Sequence, residues 1–231
     1  MIVGNGLLAG ACEKYRTHKD IMIFASGVSN SLEQNFEAFY REEVLLQDSL
    51  EDNKDSHCVY FGTCSIYDPS RNTSPYVRHK LKMESIVRDS GHSFSIVRLP
   101  QIVGHCSNKS TVLNYFYNSI VNGQSFELWK NAIRYLVDLD DVVRFVSSIL
   151  AGERHPALTH NLVTKPCKVP DIVACIERII GIKAKYRVVN KGIFYSIPCL
   201  KGQVSIVDAG IVVNEQYMEE ILHKFLKYRK F

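Results

Sequence analysis

Short apolar runs alternate with helix-periodic segments along this chain, and few architectures accept that order. Residues 2–3, 21–25, 58–62 and 94–97 read as strands, and residues 7–16, 32–50 and 76–89 carry the helical period between them. Parallel strands need long crossovers, usually helical, and the resulting sheets are covered by helices on both faces. The expected fold class is therefore α/β, a doubly wound and mainly parallel sheet. The second half adds helices at 111–122, 140–150, 171–180 and 215–228. Strand-like runs lie at 126–129, 133–137, 160–163, 186–189 and 204–213. Asp140 and Asp141 put negative charge at the start of the helix reaching Leu150, where the helix dipole favours it.

With 231 residues the chain is long enough for a sizeable core. Its hydrophobic fraction of 46% and charged fraction of 23% are those of a globular protein. The net charge of +4 is modest and its basic residues are scattered, with one small knot at Lys224, Lys227, Arg229 and Lys230. A nucleic-acid binder concentrates its charge on one face, so anionic small molecules suit this surface better. No apolar run has the length of a membrane span. The first residues run from a strand into glycines, unlike a secretory signal. The seven cysteines are odd in number and show neither a Cys-x-x-Cys pair nor a Cys/His metal spacing. They read as buried apolar filler in a reducing, cytoplasmic setting, and no metal site is expected.

The stretch that carries chemistry is Val59-Tyr60-Phe61-Gly62-Thr63-Cys64-Ser65-Ile66-Tyr67-Asp68, a strand ending in hydroxyls. Ser74-Pro75-Tyr76-Val77-Arg78-His79-Lys80 follows it. At i, i+4 on a helix the Tyr76 phenol and the Lys80 ammonium share a face. A nearby ammonium favours the phenolate, so the Tyr76 pKa is expected to fall from about 10 toward neutrality. Such a phenol suits general acid/base work at a carbinol or ketone, and Thr63 is placed to hydrogen-bond the same oxygen. Tyr15 and Lys19 repeat the spacing without a hydroxyl-bearing strand before them and read as an ordinary surface pair. Cys64 has no base beside it, His79 reads as solvent-facing, and His57, His92 and His105 sit at element edges. At the N-terminus Gly4-Asn5-Gly6-Leu7-Leu8-Ala9 has the G-x-G-x-x-G/A form between strand and helix. Backbone N–H groups there can approach a pyrophosphate.

Together these segments resemble the extended short-chain dehydrogenase/reductase family of sugar-nucleotide epimerases, dehydratases and reductases. Arg98-Leu99-Pro100-Gln101-Ile102-Val103-Gly104 is similar to the family's Arg-x-x-Asn-x-x-Gly segment, with Gln101 replacing the Asn. Residues 134–141 look like the segment before its penultimate core helix. The resemblance implies a Rossmann-like core over residues 1–104, completed by about 133–164, and a substrate-binding lobe from 105–132 and 165–231. It implies NAD or NADP held by Gly4, Asn5, Gly6, Leu7, Leu8, Ala25, Ser26 and Lys80. It also implies a nucleotide-linked sugar contacted by Ser65, Gln101 and Arg134, the last through its diphosphate. Thr63, Tyr76 and Lys80 would act in epimerisation, dehydration or keto reduction, with the nicotinamide supplying the hydride chemistry that side chains lack. Trp129 reads as core or rim packing. Glu43 stands where the family helix has an Asn that supports a proton relay, and it is given no such role. A homodimer through helices 32–50 and 76–89 is the family's habit.

The sequence also departs from that family. Roughly 20 residues past the glycines, where an acid normally ends a second strand, the chain is already in Ile21-Met22-Ile23-Phe24-Ala25. That segment looks like a later strand of the family, so two strands and a helix on the adenosine side are absent. Asp20 would begin a strand and takes no ribose-reading role. A direct step to this later strand means that either the first helix changes face or the connection is unusual. Two other readings stay open: a degenerate member that binds a sugar nucleotide or a partner protein without redox turnover, and an isomerase or lyase that uses the phenol without nicotinamide.

Overall fold

A computed structural model describes residues 1–104, 111–152 and 156–227; His105, Arg229 and Lys230 lie outside the described residues. The first half runs β1 (Ile2–Val3), α1 (Leu7–Ala11), β2 (Ile21–Phe24), α2 (Phe36–Asp52), β3 (His57–Thr63), α3 (Pro75–Asp89), β4 (Phe94–Leu99) and β5 (Gln101–Val103). The second runs α4 (Val112–Val121), β6 (Ser125–Trp129), β7 (Ile133–Asp138), α5 (Leu139–Ile149), β8 (Leu158–Asn161), β9 (Pro166–Lys168), α6 (Val169–Ile180), β10 (Lys185–Val189) and α7 (Tyr217–Leu226). The fold is Rossmann-like α/β, as the alternation of strands and helices requires.

The main sheet has the order β1-β2-β3-β4-β8, every pair parallel. Strands β2 and β3 are buried along their whole length, which is why both read as unbroken runs rather than alternating ones. Their side chains still divide between two cores. Met22, Phe24, Cys58, Tyr60 and Ile96 meet Leu46 and Leu50 of α2 and Met83 and Val87 of α3. On the other face Ile21, Ile23, Val59, Phe61 and Val97 meet Ala9 of α1 and Val142, Phe145 and Val146 of α5.

The absence of the adenosine-side strands sets β1 directly beside β2, with Ile2 opposite Ile23. The steps from β1 to β2, β2 to β3 and β3 to β4 all run the same way across the sheet. Helix α1 nevertheless lies on the face of α5, opposite to α2 and α3. The first crossover is thus opposite in hand to the next two, and the three cannot all obey the right-handed rule that holds for about 98% of such units. The connection, therefore, is the unusual feature. It is also short: α1 has five residues and passes into a 3-10 turn at Glu13–Tyr15, so the helix expected to reach residue 16 ends early.

A third core joins α4, α6 and α7 to β6 and β7 through Leu113, Phe116, Leu128, Leu136, Ile176 and Leu222. Strand β6 pairs in parallel with β10, and β7 lies between β5 and the antiparallel β9. The strand expected at 204–213 does not form. Ser205 N–H and its hydroxyl both donate to Asp208, and Gly210 turns the chain at φ +65°, so local bonds replace a ladder. Helix α7 is latched to the start of α5: the Tyr217 hydroxyl donates to Asp141 at 2.7 Å and accepts from Asp138 N–H at 3.0 Å.

Candidate active site

Strand β3 ends at Thr63, whose buried hydroxyl accepts from Ser65 N–H at 3.1 Å and so starts a 3-10 turn at Cys64–Tyr67. Asp68 then folds the loop back by accepting from Ser70 N–H and the Ser70 hydroxyl. Ser74 caps α3 by accepting from Val77 N–H, and Pro75 occupies a first-turn position that needs no N–H donor. These local choices deliver Tyr76 and Lys80 to the carboxyl ends of β2 and β3. Both are buried, at 8% and 4% exposure.

Thr63 lies near enough to Tyr76 for its hydroxyl to favour the ionised phenol. The electrostatics differ from the expectation. Burial raises the Tyr76 pKa, with Glu42 and Cys64 adding to it, and this outweighs the lowering by Lys80 and Thr63. Besides burial, a residue that sequence reasoning missed contributes. Glu42, on α2 and fully buried, accepts from Lys80 Nζ at 3.0 Å, so the ammonium is balanced by its own carboxylate. Lys80 also sits 4.7 Å from the centroid of the Tyr60 ring. Burial pushes the Glu42 carboxyl up, but Lys80 and the bonds from His79 and Val28 N–H overcome it and hold Glu42 well below the ordinary carboxylate range.

One further expectation is corrected here. His79 is not solvent-facing: it is buried, donates to Glu42 at 2.9 Å and stacks on Phe39 at 4.6 Å. Glu43, which the sequence reading gave no role in the site, pairs with Lys82 at 2.6 Å, while its neighbour Glu42 is buried against Lys80. The buried positions Glu42, Leu46, Ser49 and Leu50 follow the helical period and are the signal that separates the two acids.

Around the glycine loop, Gly4 has φ +119°, and a Cβ there would lie 2.7 Å from the Ala25 carbonyl oxygen. Glycine is therefore required for Gly4 to press against the Ala25-Ser26 turn. Above Gly6 the space is open, since a Cβ would meet nothing within 4 Å, and no side chain caps α1. The loop and the Ala25-Ser26 turn are thus brought together as the sequence implied. A cleft of about 650 Å³ lined by Gly6, Leu7, Gly10, Leu139, Asp140 and Arg144 lies between α1 and α5, away from Thr63, Tyr76 and Lys80.

On the other side of the turn, Arg134 of β7 is largely buried, 4.0 Å from Asp68, and donates to Ile133 O. Burial lowers its pKa, and the neighbouring Arg71 lowers it further. Gln101 donates to Ile102 O at 3.3 Å. The Trp129 ring lies at the rim, 5.6 Å from the Lys191 ammonium. Arg98 is held by Glu84 at 2.9 and 2.6 Å and donates to the Tyr67 hydroxyl at 3.1 Å, which ties the 3-10 turn to β4 and α3.

A parallel sheet covered by helices, with a glycine loop after its first strand, defines a Rossmann-like α/β protein. The sequence model of the NAD dependent epimerase/dehydratase family matches residues 13–159, more than half of the chain, and the chain belongs to that family. No curated protein matches it. Among solved structures, UDP-N-acetylglucosamine 4-epimerase from Methanobrevibacter ruminantium, in complex with UDP-N-acetylmuramic acid, is similar with a TM-score of 0.66 at 15% identity. That similarity covers 99% of this chain and 82% of the other. Thermus thermophilus UDP-glucose 4-epimerase, in complex with NAD, gives 0.67 at 15% identity over 97% and 83%. Bacillus cereus UDP-glucuronic acid 4-epimerase, with UDP-glucuronic acid and NAD, gives 0.68 at 15% identity over 94% and 78%. At that identity the likeness is one of fold. Among the described residues no helix is long and apolar enough to cross a membrane.

Proposed function

We propose that the protein modifies a nucleotide-linked sugar at a carbinol or keto centre, with NAD or NADP as its redox partner. The observation that carries this reading is the buried grouping of Thr63, at the end of β3, with Tyr76 and Lys80, one turn apart on α3. The residues present fit the pyrophosphate and nicotinamide side of a dinucleotide. Gly4, Asn5, Gly6, Leu7 and Leu8 would offer backbone N–H groups, with open space at Gly6, and Ala25 and Ser26 border Gly4. When bound, the nicotinamide would supply hydride acceptance and donation. Thr63 would orient the reacting oxygen and Tyr76 would exchange a proton with it. Ser65, Gln101 and Arg134 would hold the sugar nucleotide, Arg134 by charge-assisted bonds to phosphate. A cytoplasmic homodimer belongs to the same proposal. The stacked Phe36–Tyr40 pair on α2, 75% and 56% exposed with ring centroids 6.1 Å apart, supports it.

A second reading, a member that binds a sugar nucleotide without redox turnover, is favoured by one observation: Lys80 is already engaged by Glu42. Thermal shift and calorimetry with NAD(H) and NADP(H) separate the two. A dinucleotide at 100 times its dissociation constant stabilises the fold by about 2.7 kcal/mol, and no response to either form selects the second reading. Given binding, Tyr76→Phe is expected to abolish turnover with little change in dinucleotide affinity; retained turnover removes Tyr76 from the mechanism.

A further inference from the structure

Glu42 carries more than a tether. Its Oε1 accepts from Lys80 Nζ at 3.0 Å and the Tyr60 hydroxyl at 2.8 Å. Its Oε2 accepts from His79 Nε2 at 2.9 Å and Val28 N–H at 2.6 Å. Lys80 Nζ and Val28 N–H can only donate, one to each oxygen, and they favour the ionised carboxyl. The neutral tautomer of His79 with hydrogen on Nε2 suffices for its bond. The Lys80–Glu42 pair therefore presents no net charge. Gly27 lies against both ends of it, where a Cβ would come within 2.8 Å of Lys80 Nζ and 2.9 Å of Glu42 Oε1.

The groups facing the Tyr76 phenol are Lys80 on α3, Glu42 on α2, Thr63 and Tyr60 on β3, and Cys64 in the 3-10 turn. Tyr76 also belongs to an apolar cluster with Val28 and Val77, against which Ala38, Phe39 and Ile66 pack. A phenolate here is a buried negative charge that Lys80, shared with Glu42, offsets only in part, and burial penalises it. We propose that Glu42 is a positioning residue that fixes Lys80 and offsets part of its charge at Tyr76, so that Tyr76 serves as a proton donor to a substrate carbonyl oxygen. The phenol O–H bond breaks as an O–H bond forms on the substrate. The hydride that forms the new C–H bond, as the carbonyl π pair moves to oxygen, would come from a reduced nicotinamide dinucleotide left oxidised, and the phenolate would regain its proton from water. This rests on the catalytic reading of Tyr76 and narrows its substrate to a keto sugar nucleotide undergoing reduction.

The test compares wild type, Glu42→Gln, Glu42→Asn and Glu42→Asp, each with and without Tyr76→Phe. Two readouts are followed: the ultraviolet titration of the phenol in protein without dinucleotide, and the pH profile of keto-sugar reduction. Loss of the carboxylate in Glu42→Gln leaves Lys80 uncompensated, so the Tyr76 titration moves down by about one pH unit or more, a tenfold or larger change in proton affinity. The alkaline limb of the rate profile moves with it, and Glu42→Asp restores the wild-type position. Should Glu42→Gln not fold, the smaller Glu42→Asn carries the same expectation. A titration unmoved in the folded neutral variants, including the case in which Lys80 sheds its own proton, overturns the proposal. Full turnover in Tyr76→Phe alone would instead remove the underlying catalytic reading. Turnover lost in Tyr76→Phe, with no shift in Glu42→Gln, removes only the role of Glu42.

Discussion

Replacing Glu42 and Lys80 together should not behave like the removal of an ordinary buried ion pair. A simple pair exchanged for apolar residues of similar size is often neutral or stabilising, whereas breaking it from one side costs about 3–5 kcal/mol. Glu42 holds three donors besides Lys80: the Tyr60 hydroxyl, His79 Nε2 and Val28 N–H. Lys80→Met leaves the carboxylate with those three bonds, so its cost is expected at or below about 3 kcal/mol. Glu42→Leu strands the ammonium and the three donors together, and exceeds about 5 kcal/mol, comparable to the whole stability of a marginal domain. The double variant Glu42→Leu/Lys80→Met removes the ammonium but leaves the three donors unpaired at about 1–3 kcal/mol each, so it stays at least about 3 kcal/mol below wild type. Urea unfolding reads this directly. With a slope of about 2–3 kcal/mol per molar, the midpoint of the double variant falls by roughly 1 M or more. If Glu42→Leu does not fold, Lys80→Met and the double variant still decide the matter. A double variant within about 1 kcal/mol of wild type refutes the reasoning.

Acid sensitivity follows from the same carboxylate. The folded-state pKa of Glu42 lies below its ordinary 4.5, so its contribution is complete above pH 4.5 and is lost as pH falls below it toward the depressed value. Wild type should therefore lose stability more steeply than Glu42→Gln below that pH, by up to about 1.4 kcal/mol per pH unit; parallel curves would contradict this. Burial pushes the Cys12 and Cys58 thiols up to about 11 and about 12, and Cys64 higher still. At pH 8 these thiols are ionised to roughly one part in a thousand or less, so a disulfide reagent should label exposed Cys199 in the native protein and reach those three only on unfolding. Light scattering should find a dimer that Phe36→Glu/Tyr40→Glu converts to monomer, since both rings are exposed on α2; a wild-type monomer would exclude the interface.

The legible parts of this chain are those whose cause is local. Strands β2 and β3 announce themselves because both faces are buried, and the Ser74 cap and Pro75 fix where α3 begins. The Tyr76–Lys80 spacing was equally plain, yet the charge felt by the phenol was not, because the balancing carboxylate arrives from 38 residues away on α2. His79 was misread for the same reason: a helix covered by a second helix has no free face there, and Phe39 and Glu42 take the imidazole. Two glycines show the limit most clearly. Gly27 leaves room for the Lys80–Glu42 pair, and Gly62 does the same for Glu84 and Arg98, where a Cβ would lie 2.6 Å from Glu84 Oε1 and 3.1 Å from Arg98 Cγ. Neither glycine has the positive φ that ordinarily explains one. Both are explained by the volume of an ion pair assembled from distant segments, so a substitution as small as Gly62→Ala would press on a charge network rather than on the backbone that carries it.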